Sequence, residues 1–132
     1  MITTSLYAGI LSLLYFVISI ETIQARGREK VSLGTGSENQ IIHLVSAHSN
    51  FASYSPIFLI LLLLVEQNQI NTFVLHLSAL VFLAGRILHY LSMRTKETTI
   101  KKRKLGMQCT LFPIVTLATL NIGFFFQYLC VS

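Results

Sequence analysis

Four long apolar blocks dominate this chain, at residues 2–25, 41–65, 70–93 and 105–131. At about 1.5 Å per helical residue, each is long enough to cross roughly 30 Å of hydrocarbon. Inside a bilayer the backbone must satisfy its own hydrogen bonds, which a helix does within one segment. Hydrophobic residues make up 53% of the chain and charged residues 11%, gathered into long runs instead of the short amphipathic segments of a soluble core. The expected fold is an all-α integral membrane domain covering residues 1–132, a bundle of four transmembrane helices.

The first block has no basic residue ahead of it and no small-residue cleavage site near Gln24-Ala25, so it reads as a helix and not as a leader. Cys109 and Cys130, at the ends of the fourth block, lack CxxC or Cys/His spacing; they read as packing residues, with no metal site and no disulfide framework. The net charge of +5 raises nucleic acid as a partner, but the positions of the basic residues argue against it. Arg26, Arg28 and Lys30 follow the first block; Arg94, Lys96, Lys101, Lys102, Arg103 and Lys104 follow the third; the turn at 66–71 has none. By the positive-inside rule, both basic connections face the cytoplasm, and their cations suit anionic membrane lipids.

The connection from Gly27 to about Glu38 carries Gly34-Thr35-Gly36, which shapes a loop and lacks the strand and third glycine of a nucleotide fingerprint. Ser37 or Asn39 is placed to cap the second helix. Pro56 lies inside that helix and removes the donor that the Ala52 carbonyl would use, which predicts a kink. Pro113 is expected in the first turns of the fourth helix. Phe124-Phe125-Phe126 and Tyr128 read as lipid-facing and interfacial surface.

Two sets of polar residues stand out against this apolar ground. Asn39, His43, Ser46, Asn50 and Ser53 recur every three or four residues, so at about 100° per residue they form one stripe that must face protein or a wet cavity. On the third helix, Arg86 lies about 12 Å of helical rise from Arg94, well inside the hydrocarbon, and His89 shares its face. Counted from the cytoplasmic ends, Ser46 to Asn50 and Arg86 fall at similar depth. Arg86 needs an acceptor, and Glu21 or helix carbonyls are the structural candidates; the functional one is a small cytosolic anion in a donor-rich pocket flanked by Arg26 and Arg103.

The segments Ala47-His48-Ser49-Asn50-Phe51-Ala52-Ser53-Tyr54-Ser55-Pro56, Gly85-Arg86-Ile87-Leu88-His89 and Arg103-Lys104-Leu105-Gly106-Met107-Gln108-Cys109-Thr110, with Val31-Ser32-Leu33-Gly34 after Arg26, resemble the MAPEG family. These are the membrane-associated proteins in eicosanoid and glutathione metabolism, and the bacterial branch is the closer likeness. The resemblance implies a homotrimer that binds glutathione between neighbouring subunits on the cytoplasmic side. It also implies transferase or peroxidase activity on lipophilic small molecules that arrive from the bilayer. Carried over by position, Arg26, Asn50, Tyr54, Arg86, His89 and Arg103 match glutathione-site positions, and Arg103 matches the residue that stabilises the thiolate.

The chain departs from the family pattern at Ser46, where Arg is common, at Ser53, where Glu is common, and at Met93, where some members have Tyr. Joint loss of a cation and its carboxylate leaves a neutral stripe that the fold tolerates. This keeps a second expectation open: a non-catalytic member that binds lipid or a small anion, or a structural or interaction module. A channel or transporter has less support, because no broken helices repeat.

Overall fold

The computed structural model describes residues 1–32, 39–94 and 100–131, with the side chains of 39, 40 and 131 excepted. The Gly34-Thr35-Gly36 segment, the Ser37 cap, the Asn39 side chain and Lys96 lie outside the described residues. Four helices follow one another: α1 Ile2–Arg28, α2 Asn39–Gln67, α3 Thr72–Arg94 and α4 Ile100–Val131. All four are long and apolar enough to cross a membrane. α2 and α3 occupy the middle, α1 packs on α2 and touches α3, and α4 packs on α3 and α2; among the described residues α1 and α4 do not meet.

Helix ends run beyond the apolar blocks because flanking polar residues continue the same backbone pattern. Gly27 thus belongs to α1, and Lys101 to Lys104 belong to the first turns of α4. With α4 starting at Ile100, Pro113 is interior to the helix and buried, not in its first turns. α2 continues through Pro56.

The core follows three-and-four spacing. On α2 the buried face is Leu44, Ala47, Phe51, Ser55, Phe58, Leu62 and Val65, matched by Tyr7, Leu11 and Ile18 on α1 and by Leu75, Ala79, Phe82 and Arg86 on α3. Phe58 and Phe82 stack with centroids 3.9 Å apart. α3 and α4 approach most closely at Gly85 and Gly106. A Cβ on Gly106 would lie 2.8 Å from the His89 amide nitrogen, and one on Gly85 would lie 2.9 Å from the Gly106 carbonyl oxygen. Small residues let backbones approach in this way where no hydrophobic force between lipid and helix drives association.

Two carboxylates fasten α1 at opposite ends. At the first, Glu66 accepts the backbone N–H groups of Thr3 at 2.9 Å and Thr4 at 3.0 Å, occupying donors that a helix N-terminus leaves free. At the other, Glu21 accepts Arg94 Nε at 2.7 Å and the Tyr90 hydroxyl. Glu21 is therefore committed to Arg94 and Tyr90, and Arg86 is left to find other partners. Asn71 Oδ1 accepts the Phe73 N–H at 2.9 Å and caps α3.

Phe125, Phe126 and Tyr128 are exposed as expected, whereas Phe124 packs against the core. Cys109 meets the expectation of a packing residue beside Gly85, but Cys130 is exposed; it is the next-to-last residue of α4.

Candidate ligand site around Arg86

Arg86 is 1% exposed, placed on the inner face of α3 by the spacing that also buries Phe82 and His89. Its Nε and Nη2 donate to Thr110 Oγ1 at 2.9 and 2.6 Å, and Nη1 donates to the Asn50 carbonyl at 3.3 Å. Nη2 also approaches Met107 Sδ at 3.9 Å. The guanidinium carbon lies 5.4 Å from the Tyr54 ring centre and 5.9 Å from that of Phe82. No carboxylate reaches Arg86 among the described residues; their ion pairs join Glu66 to the terminal amine and Glu21 to Arg94. A guanidinium has five N–H donors, and among the described residues one on Nη1 has no partner. Neutral acceptors and ring faces hold the side chain in place, and among the described residues its charge meets no carboxylate.

His89 is 3% exposed and sits one turn beyond Arg86. Asn50 Nδ2 lies 3.4 Å from His89 Nε2. An amide nitrogen only donates, so in this orientation Nε2 accepts and the ring proton sits on Nδ1. Nδ1 is buried with no hydrogen bond of normal length, while the Arg103 backbone and charge lie close to the ring. Asn50, Tyr54, Arg86, His89 and the start of α4 at Arg103 thus converge on one side of the bundle, at the cytoplasmic half assigned by the basic connections.

The polar stripe of α2 is not its buried face. At about 100° per residue, Asn50 lies roughly a quarter turn from the centre of the Leu44-to-Val65 face, and Ser53 lies farther round. Asn50 and Ser46 are half-buried, and Ser53 is exposed. The Ser53 hydroxyl donates to its own Ser49 carbonyl at 2.9 Å, so this residue needs no protein partner at membrane depth. Within a single chain the outer part of the stripe is therefore left uncovered. Neither serine bonds to Arg86.

Arg26, half-buried near the end of α1, is not brought into the cluster by any hydrogen bond, ion pair or ring contact. Arg103 is exposed. Met93 is 2% exposed and serves as core. Sequence reasoning missed Thr110 and Met107 as the groups that hold Arg86. The available signal was their spacing after Gly106: small residues at 85 and 106 allow a close crossing, which carries the next turn of α4 onto Arg86.

The chain matches the MAPEG family over residues 4–123. It is 27% identical over 121 residues to the inner membrane protein YecN of Escherichia coli K12, covering 92% of this chain and 91% of that protein. The YecN of Escherichia coli O6:H1 strain CFT073 matches with the same identity and coverage.

Proposed function

We propose that this protein, which belongs to the MAPEG family, is an inner-membrane homotrimer that binds glutathione and transfers its thiolate to lipophilic electrophiles. The observation that carries the reading is Arg86: a buried cation with no carboxylate in ion-pair range among the described residues. Such a charge is costly in the membrane and favours an anion at the same depth. Glutathione has two carboxylates, and its thiol becomes a third anionic group when ionised.

Buried as it is, Arg86 contributes mainly field plus its remaining Nη1 N–H, while Arg103, exposed at the start of α4, makes the direct contact. Asn50, beside His89, offers an amide to the peptide backbone of the ligand. Arg26 is assigned to the site of a neighbouring subunit. In support, among the described residues Arg26 bonds to no group of this cluster and α1 and α4 do not meet, so a site using both ends draws on a second copy.

For an aryl halide, the thiolate sulfur forms a bond to the ring carbon, halide departs, and the thiol proton goes to solvent. For a lipid hydroperoxide, two glutathiones are oxidised to the disulfide while the peroxide is reduced to an alcohol and water. A cation near the thiol favours its ionised, nucleophilic form. Steady-state assays of both reactions on purified protein test the proposal. Turnover with either substrate, reduced strongly by Arg103→Gln while the oligomer is unchanged, is the expected result. Absence of turnover with both substrates overturns the catalytic assignment.

A second reading is a non-catalytic member that keeps the anion site. Ser53 favours it, because the residue is exposed and bonded to its own helix, with no carboxylate to organise a ligand ammonium. The pair Ser46→Arg and Ser53→Glu separates the two readings. A large gain in glutathione affinity supports the non-catalytic member, and unchanged turnover supports the enzyme.

A further inference from the structure

A cleft of about 590 Å³ lies between α1 and α3 at their cytoplasmic ends, and its walls change character with depth. The deep part is apolar and exposed, built from Phe16, Val17 and Ile20; the shallow part is Gln24, Arg28 and Arg94, exposed as well. Arg28 and Arg94 are the last residues of their helices, and Phe16 lies about 18 Å of helical rise below Arg28. The apolar wall therefore stands in hydrocarbon, with the two cations at the level of the lipid headgroups.

The charges lining this cleft do not cancel. Glu21 engages both of its oxygens within the protein, accepting Arg94 Nε at 2.7 Å and the Tyr90 hydroxyl. That pair holds Arg94 by its Nε edge; among the described residues its Nη groups, and the whole Arg28 guanidinium, have no hydrogen-bond or ion-pair partner. Two guanidinium groups against one carboxylate leave a single positive charge in excess. Arg26 and Arg28 differ by about 200° around α1, so the cleft is turned away from the side that offers Arg26 to a neighbouring subunit. None of its lining residues belongs to the Arg86 cluster.

A soluble anion would meet only the mouth of this cleft, and an uncharged lipid only its wall. A phosphodiester with one negative charge and acyl chains beneath it matches both, in the order in which the membrane presents them. We infer that the cleft binds an anionic glycerophospholipid of the cytoplasmic leaflet, such as phosphatidylglycerol, its phosphate on Arg28 and Arg94 and an acyl chain along Ile20, Val17 and Phe16. Guanidinium groups suit phosphate through paired N–H donors, and the Gln24 amide is placed to donate to a glycerol or ester oxygen. A choline headgroup brings its own cation against the two arginines, so the site ranks phosphatidylglycerol above phosphatidylcholine. The inference does not depend on glutathione binding.

The test uses the full-length protein in nanodiscs and three lipid probes with the same diazirine-bearing acyl chains: phosphatidylglycerol, phosphatidylcholine and diacylglycerol. Phosphatidylglycerol is expected to label the segment from Phe16 to Ile20 about fivefold more than either of the others, and Arg28→Gln to remove about that factor, the effect of one cation near an anionic headgroup. Arg28→Lys keeps most of the labelling, and Ile20→Trp, which fills the apolar wall, abolishes it. Lys101→Gln, on α4 and outside the cleft, leaves labelling of this segment unchanged. Size-exclusion elution matching wild type shows that each variant is folded. Equal labelling by the three probes overturns the assignment, as does an equal loss from Lys101→Gln, which would mean diffuse surface charge. Displacement of the probe by millimolar glycerophosphoglycerol would show a site for a free phosphodiester and overturn it too. So would a photoreactive residue at position 20 that couples to a second copy of the chain, which would place protein in the cleft.

Discussion

Thr110→Val removes the acceptor that holds Arg86, together with the bond that the Thr110 hydroxyl donates to the Gly106 carbonyl of its own helix. The side chains are nearly isosteric, so no cavity opens, but Nε and Nη2 lose the oxygen they reach at 2.9 and 2.6 Å. A hydrogen bond from a charged donor contributes about 1.5–3 kcal/mol. The two bonds share one oxygen, so their joint loss should cost about 2–4 kcal/mol, short of the sum. Ordinary interhelical hydrogen bonds between membrane helices average about 0.6 kcal/mol and reach about 1.7 at most. The measurement therefore separates a charge-assisted anchor from a neutral contact. Denaturation by sodium dodecyl sulfate from mixed micelles, followed by circular dichroism, gives the value. Arg86→Met supplies the second arm: with the guanidinium gone, Thr110→Val should cost under about 0.6 kcal/mol, so the double-mutant cycle shows strong coupling. An equal cost in both backgrounds would refute the claim that Thr110 acts by satisfying Arg86.

Other substitutions probe the scaffold. Gly106→Ala pushes a methyl to within 2.8 Å of α3 backbone and should destabilise by about 1–3 kcal/mol. Gly123→Ala, which meets nothing within 4 Å, should be near neutral in the same denaturation assay. Glu66→Gln weakens the cap on α1 by about 1 kcal/mol and should speed hydrogen exchange at the Thr3 and Thr4 amides, leaving core amides unchanged. Arg94→Gln breaks an ion pair whose cation is 56% exposed, and its cost should stay below about 1 kcal/mol in thermal unfolding.

The four spans, their order and the depth at which Asn50 meets the third helix were all legible in the sequence. Each rests on block length or on helical spacing, which the chain states directly. The partner of Arg86 was not legible. Glu21 looked suitable by charge, but Tyr90 and Arg94 lie nearer the end of α3 and take it. What reaches Arg86 is set by the approach of α4 across Gly85 and Gly106, a property of two backbones together. Ser53 illustrates the converse limit: periodicity put it in line with Asn50, but not which group its hydroxyl bonds, which is the Ser49 carbonyl of its own helix.

The central claim is that an uncompensated cation inside this bundle serves an anionic thiol peptide, and calorimetric titration of glutathione into the purified protein tests it most directly. Saturable binding at millimolar ligand or below is expected, weakened about tenfold, roughly 1.4 kcal/mol, by Arg103→Gln. Absence of binding heat at millimolar glutathione, over a range of temperatures that excludes a zero enthalpy, would contradict the account.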